Sequence, residues 1–225
     1  EMEESDWSSD VCSSDLHRMR LGIFGGSFDP PHVGHLLMAQ DAIAALSLDR
    51  LLIVPAAQQP LKQQHASATD RLAMTQRCFG GIPAISVDPI EIERGGLSFM
   101  VDTVGTLQQR WPLTELYLLV GQDVLATFPR WREPERLRSM VQVVVMQRTV
   151  AEAAAGTDTE QRHEPGFPVQ HLALRQVDVS STEIRARVRA GRSIRGFVTD
   201  AVAEYIASAG LYLRDLVADD VAERA

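Results

Sequence analysis

The run Leu21-Gly22-Ile23-Phe24-Gly25-Gly26-Ser27-Phe28-Asp29-Pro30-Pro31-His32-Val33-Gly34-His35-Leu36 gathers the residue types that could bind an anion and act on it. Leu21 to Phe24 has strand character and breaks into the glycine pair Gly25-Gly26. Pro30 and Pro31 fix their own φ and restrict the residue before each, so the loop must turn in one defined way before a helix begins near Gly34. That helix carries Leu36, Leu37, Ala39, Ile43, Ala44 and Leu46 at spacings of three and four. Strand, glycine loop and helix start make a phosphate site: unpaired N–H groups and the positive end of the helix dipole converge where no side chain blocks an anion. His32 and His35, three apart across the helix start, can both reach one bound group.

Each feature alone has a plainer reading. A glycine pair is an ordinary strand-to-helix turn. A His-x-x-His pair is often incidental, or half of a metal site, although no Cys, Glu or further His stands near enough in sequence to complete a ligand set. Neither the dinucleotide fingerprint G-x-G-x-x-G nor the P-loop pattern fits these residues. The combination carries the functional reading, since glycine pair, double proline and His-x-Gly-His all fall directly after a strand.

The elements around this stretch should place it. Arg50 to Pro55 is a second buried strand, apolar nearly throughout as parallel strands are. The polar loop Ala56 to Ala68 carries Lys62, and Thr69-Asp70 is expected to cap a helix running to Phe79. Ile85 to Ile92 is expected to be an edge strand interrupted by Pro89, and Val101 to Trp111 a helix. Glu115 to Val120 is a further strand with Gly121-Gln122-Asp123 at its end, Pro134 opens a short helix, and Val141 to Met146 is another buried strand. Ala151 to Gly166 is expected to be a loop, Val169 to Leu174 and Gln176 to Val179 strand material, Asp200 to Gly210 a helix, and 214–225 an acidic helical tail. Strands alternating with helices predict an α/β fold, a doubly wound parallel sheet of Rossmann-like type with a small C-terminal helical part. Ligands in such sheets lie beyond the carboxyl ends of the strands, where the Gly25 loop, Lys62 and Gly121 to Asp123 all fall.

Residues 1–18 are rich in Ser, Asp and Glu without period, and read as an extension foreign to a domain spanning 19–213. The whole chain carries a formal charge of −8; without that extension 24 acids face 21 bases, a net −3. No basic patch suits nucleic acid, and no apolar run approaches the roughly 20 residues that cross a bilayer. Outside the extension Cys78 is the sole cysteine, which excludes a disulfide framework within the domain and fits the cytoplasm.

Near the C-terminus, Val179-Ser180-Ser181-Thr182-Glu183-Ile184-Arg185 begins another helix. A serine pair there is usually an N-cap, and the arginines that follow are mostly a solvated basic face. Arg185 fits that reading less well, because it lies one turn inside a helix start that could face the same anion.

The stretch Gly25 to His35 closely resembles the first signature of the nucleotidyltransferase superfamily, and Ser180 to Arg185 is similar to its second, Ser-Ser-Thr-x-Ile-Arg. Between them, Gly121-Gln122-Asp123-Val124-Leu125-Ala126-Thr127-Phe128-Pro129-Arg130-Trp131 and Ser98-Phe99-Met100-Val101-Asp102-Thr103 resemble blocks of the bacterial nicotinate-nucleotide adenylyltransferases. The resemblance spans residue 19 to about residue 213. It implies transfer of AMP from ATP to nicotinic acid mononucleotide, giving deamido-NAD and pyrophosphate. It assigns His32, His35, Lys62 and Arg185 to catalysis, and Gly25, Gly26, Ser27, Phe28, Gly121, Asp123, Ser180, Ser181 and Thr182, with both histidines and Arg185, to ATP. Phe99, Met100, Thr103, Asp123, Trp131 and Arg148 would meet the acceptor. The family commonly has Thr where Met100 stands, and often Pro-His-Lys where this chain has Pro60-Leu61-Lys62, so an imidazole is missing at Leu61.

The chemistry suits that set. A phosphate acceptor is already nucleophilic at neutral pH, so two anions must be aligned and the charge on the departing pyrophosphate neutralised. Mg²⁺ would bridge the ATP phosphates without a protein cage, so no metal ligands are expected from the chain. Asp29 is read as a loop-ordering residue and not a base. Trp131 could be a core anchor, a surface lid or a stacking platform for the pyridine ring. Rival readings are a pantetheine-phosphate adenylyltransferase, a nucleotide-binding regulator without catalysis, and a metal-dependent hydrolase using His32 and His35. Association with further copies of the chain is left open.

Overall fold

The strands sit where apolar runs end in glycine or proline. In the computed structural model, which describes residues 18–60, 62–149, 159–164, 167–175 and 177–213, the first two are β1 (Arg20–Gly26) and β2 (Arg50–Pro55), joined through α1 (Val33–Leu46). β1 continues through the glycine pair instead of breaking before it, because Gly25 and Gly26 still pair with Val54 and Pro55. Then follow α2 (Ala68–Phe79), β3 (Ile85–Val87), α3 (Ile90–Arg94), α4 (Met100–Arg110), β4 (Glu115–Gly121), α5 (Gln122–Leu125), a 3₁₀ turn at Phe128–Arg130, and α6 (Pro134–Met140). The chain continues through β5 (Gln142–Thr149), β6 (Thr159–Glu164), β7 (Phe167–Arg175), α7 (Ser181–Arg189) and α8 (Asp200–Ser208).

The strands form one sheet in the order β3-β2-β1-β4-β5-β7-β6, parallel everywhere except the β6–β7 pair. The fold class is therefore the expected doubly wound α/β, with one antiparallel strand added at an edge. That strand occupies part of the stretch expected to be loop. Its sequence, TEQRHE, has no apolar alternation to read, and the antiparallel backbone ladder to β7 makes it a strand. Other boundaries shift for local reasons. Pro89 ends the third strand early, and the residues after it form α3. Val177 to Val179 are irregular, so β7 stops at Arg175. The cap of α2 is Ser67, whose Oγ accepts from the Asp70 amide at 3.0 Å and donates to the Asp70 carboxylate at 2.6 Å, in place of Thr69-Asp70. The expected acidic tail and nearly all of the N-terminal extension lie outside the described residues.

Strand alternation sorts the core into two layers. Phe24, Leu51, Ile53, Tyr117, Leu119, Val144 and Met146 point to the face covered by α1, α2, α7 and α8. Leu21, Ile23, Leu52, Val54, Leu118, Val120, Val143 and Val145 point to the other face, covered by α4 and α6. On α1 the fully buried stripe is Gly34, Ala39, Ala42 and Leu46; Leu36 and Leu37 are half-buried and Ala44 is exposed, so small residues let this helix lie close to the sheet. No helix among the described residues is long and apolar enough to cross a membrane.

Candidate active site

Because β1 pairs with β2 on one side and β4 on the other, the strand order reverses between β1 and β4, and ligands of doubly wound sheets bind beyond the carboxyl ends at such a reversal. Gly25 and Gly26 end β1 there, Ser27 and the buried Phe28 follow, and Gly121 ends the neighbouring strand and leads into α5. The glycines answer to close approach. A Cβ on Gly25 would come within 2.6 Å of the Met100 methyl, and one on Gly26 within 3.0 Å of the Phe28 ring. Phe28 itself sits at φ 49°, a conformation an aromatic residue adopts only when its surroundings impose it. Its ring is held by edge contacts to Phe24, Phe79 and His35. A cis peptide joins Asp29 to Pro30.

His32 is the N-cap residue of α1 and His35 stands in the first turn. Their rings stack with centroids 3.7 Å apart, and His35 also meets Phe28 edge-on at 5.2 Å. The His32 amide donates to His35 Nδ1 at 3.3 Å. With Nδ1 accepting, the neutral His35 ring carries its proton on Nε2, which becomes a donor. A Cβ at Gly34 would lie 3.0 Å from the His32 ring, so any larger residue there would push that ring aside. The helix N-terminus is less open than the sequence suggests: the Val33 amide already donates to the Phe197 carbonyl at 2.9 Å.

The second motif lies directly on the first. Ser180 caps α7 by accepting from the Glu183 amide at 3.1 Å. Ser181 Oγ donates to the Pro30 carbonyl at 2.8 Å, and Arg185 donates from Nη1 to the Asp29 carbonyl at 2.7 Å and from Nη2 to Thr182 Oγ1 at 3.2 Å. Residues more than 150 apart in sequence thus meet as one surface. Arg185 is buried, so its position inside the helix start is not part of the solvated basic face.

Asp29 orders the region, but it acts on a different loop from its own. Its buried carboxylate accepts from the His65 amide at 2.6 Å and the Ala66 amide at 3.1 Å, both in the β2–α2 connection, and His65 Nδ1 lies 3.4 Å from it. Lys62 is exposed on that same connection. A residue that sequence reasoning passed over holds these loops together. Arg71 donates to the carbonyls of Ser27 at 3.0 Å, Ala56 at 2.5 Å, Ala57 at 2.7 Å and Ala66 at 3.2 Å, while only 1% exposed. Burial works against its charge and the nearby Asp29 carboxylate supports it. A signal was available: Arg71 shares the buried stripe of α2 with Met74, Thr75 and Cys78, where a cation needs internal acceptors. Arg71→Met is expected to cost about 3–5 kcal/mol, since four carbonyls lose their donor at once. Urea unfolding with unchanged slope measures it, and a loss under about 1 kcal/mol would refute the strut role.

The acceptor candidates gather on the α4 and α6 side of the sheet, where Phe99, Met100 and Trp131 pack partly buried on the core. Phe99 caps α4, with the Arg132 guanidinium 5.0 Å from its ring centre. Trp131 stacks on Phe128 at 5.1 Å and donates from Nε1 to Thr127 Oγ1 at 3.3 Å. Thr103 needs a correction. It has no exposed surface, and its hydroxyl donates to Glu91 Oε1 at 2.6 Å and accepts from Arg94 Nη2 at 3.1 Å, so it braces α4 against α3 and cannot touch a ligand. Burial raises the Glu91 pKa, with Thr103 and Arg94 opposing. Asp123 lies on α5 and Arg148 on β5 opposite Leu174; their side chains, and Leu61 entirely, lie outside the described residues. Among the described residues no group of three or more His, Cys, Asp or Glu could hold a metal ion.

A loop anchored by Ser181 and Arg185 at the switch point of a doubly wound sheet is the arrangement of a nucleotidyltransferase fold, and the cytidylyltransferase-like family model matches residues 23–187. A chain of Gemmatimonas aurantiaca named probable nicotinate-nucleotide adenylyltransferase is 63% identical over 86% of this chain and 92% of its own. One of that name from Herpetosiphon aurantiacus is 43% identical over 86% and 98%. The chain belongs to the nicotinate-nucleotide adenylyltransferase family. The fold is also that of Plasmodium falciparum nicotinic acid mononucleotide adenylyltransferase, solved in complex with NaAD, with a TM-score of 0.70, 18% identity and coverage of 88% of this chain and all of that one.

Proposed function

We infer that this protein transfers the AMP group of ATP to nicotinic acid mononucleotide, forming deamido-NAD and releasing pyrophosphate. The observation that best supports this is the seam between the two motifs, where Arg185 and Ser181 reach the carbonyls of Asp29 and Pro30 beside the stacked histidines. An acceptor phosphate oxygen attacks the α-phosphorus while the bond to the β-phosphate oxygen breaks, with no covalent intermediate and no general base. Mg²⁺ carried in with ATP would lower the charge on its phosphates, with no residue of this chain assigned to hold it.

The chain's own groups supply alignment and counter-charge. His35 Nε2–H and His32 hold the triphosphate, with Gly25, Gly26, Ser27 and Phe28 under it. Arg185 has five N–H donors, fixing itself to the loop through Nη1 on the Asp29 carbonyl and to its own helix through Nη2 on Thr182. Its cation faces the leaving pyrophosphate together with the α7 N-terminus at Ser180, Ser181 and Thr182, and exposed Lys62 covers the outer side. Gly121 and Asp123 take the ribose region, and Arg148 completes the acceptor side.

For the acceptor, Trp131 offers the ring face not covered by Phe128. The amides of Met100 and Val101 stand first in α4, where an N–H has no acceptor within the helix, and they bind the nicotinate carboxylate. The Met100 side chain reaches Gly25 instead, which is why Met can replace the usual Thr if the backbone does the binding.

Donors that suit a carboxylate leave the amide NH₂ of nicotinamide mononucleotide unpaired. Nicotinic acid mononucleotide is therefore expected to react at least tenfold faster, about 1.4 kcal/mol in the barrier. Pyrophosphate release from Mg²⁺-ATP with both mononucleotides, phosphopantetheine and no acceptor checks this. Equal rates with both mononucleotides would refute the carboxylate site, release with phosphopantetheine the acceptor, and silence throughout the reaction itself.

A further inference from the structure

Just beyond α8 the chain turns at Tyr212, whose φ is 64° and whose ring is packed in the core layer of α1, α2, α7 and α8. An aromatic residue in the left-handed region requires a reason. The hydroxyl donates to Asp29 Oδ1 at 2.7 Å, across 183 residues of sequence, and its other hydrogen-bond partner among the described residues is the weak acceptor Met74 Sδ at 3.9 Å. Phenylalanine would fill the same space, so the oxygen serves Asp29. That carboxylate also takes the His65 and Ala66 amides, and the Asp29 carbonyl takes Arg185 Nη1. Asp29 is thus the point where the phosphate loop, the β2–α2 connection, α7 and the C-terminal turn meet. Burial, then the Asp29 charge, pushes the Tyr212 hydroxyl far above its ordinary value, so it stays a donor at any working pH.

We propose that Tyr212 is a positioning residue for adenylyl transfer. By donating to Asp29 Oδ1, the oxygen that also takes the Ala66 amide while Oδ2 takes the His65 amide, it sets where the Asp29–His32 segment lies, and with it where His32, His35 and Arg185 meet the triphosphate. This rests on the reaction inferred above. The same helical part of the chain contains an internal comparison: Tyr205 on α8 also donates to a carboxylate, Asp70 Oδ1 at 2.9 Å, but that bond ties α8 to α2 and touches no part of the phosphate loop.

The test compares wild type, Tyr212→Phe and Tyr205→Phe by steady-state kinetics with ATP and nicotinic acid mononucleotide, and by amide hydrogen exchange. Tyr212→Phe is expected to lower kcat about tenfold, with KM for nicotinic acid mononucleotide within twofold, and to exchange the His65 and Ala66 amides at least tenfold faster. Tyr205→Phe should leave kcat and those amides unchanged. Wild-type kcat in Tyr212→Phe, or an equal loss in both variants, overturns the proposal. So does a Tyr212→Phe protein that does not fold, since Tyr212 would then determine the fold and not the loop. If wild type itself fails to use nicotinic acid mononucleotide, the inferred reaction has failed, and the exchange at His65 and Ala66 still decides whether Tyr212 holds the loop.

Discussion

His35→Ala is expected to lower kcat for adenylyl transfer by about 10²–10³, or roughly 2.7–4 kcal/mol, the size of effect seen when one pre-aimed donor to developing charge is removed. The ring cannot be replaced from nearby. It is clamped between His32 and Phe28, and the His32 amide on Nδ1 leaves the ring proton on Nε2. The fold should survive, because α1 is held by Ala39, Ala42 and Leu46 and by the Val33 amide on the Phe197 carbonyl. A stability loss of about 1 kcal/mol, as for a lost helix cap, is the expected ceiling. Turnover within threefold of wild type in a folded variant would remove His35 from the phosphate site.

Arg185→Lys separates charge from geometry. Lysine keeps the positive charge but has a single nitrogen, so it cannot reach the Asp29 carbonyl and Thr182 Oγ1 while also meeting a phosphate. The expected fall in kcat is about 10²-fold, with Arg185→Ala near 10³-fold. Both variants should also lose about 1–3 kcal/mol of stability, because the buried Asp29 carbonyl is left without its charged donor. If lysine restores full turnover, charge alone suffices and the fork geometry is irrelevant. If both variants keep wild-type turnover but lose stability, Arg185 is a strut between the motifs and not a phosphate ligand.

Much of the architecture could be read directly. β1, β2, β4 and β5 are short apolar runs with turn residues at their ends, and burial on both faces of a parallel sheet leaves little else such runs can be. The strand, glycine pair and helix start that carry Gly25, Gly26, His32 and His35 were legible because a local strand–loop–helix needs no distant partner to be recognised. β6 was not, since an edge strand of polar residues has no periodicity and exists through its ladder to β7. Thr103 misled, because a threonine beside two acceptor-site candidates looks the same in sequence whether its hydroxyl faces a ligand or Glu91.

The sequence by itself determined the alternation of strands and helices, the two motif stretches and residue types suited to handling phosphate. Those depend on local propensity, spacing and chemical identity, which a linear chain displays. Only the tertiary structure decided that Arg185 and Ser181 close on the carbonyls of Asp29 and Pro30, that Arg71 gathers four loop carbonyls, and that Tyr212 reaches Asp29. The physical reason is the same in each case. A buried carbonyl, carboxylate or guanidinium must find a partner, but nothing local specifies which distant residue supplies it until the sheet order has brought the strand ends together.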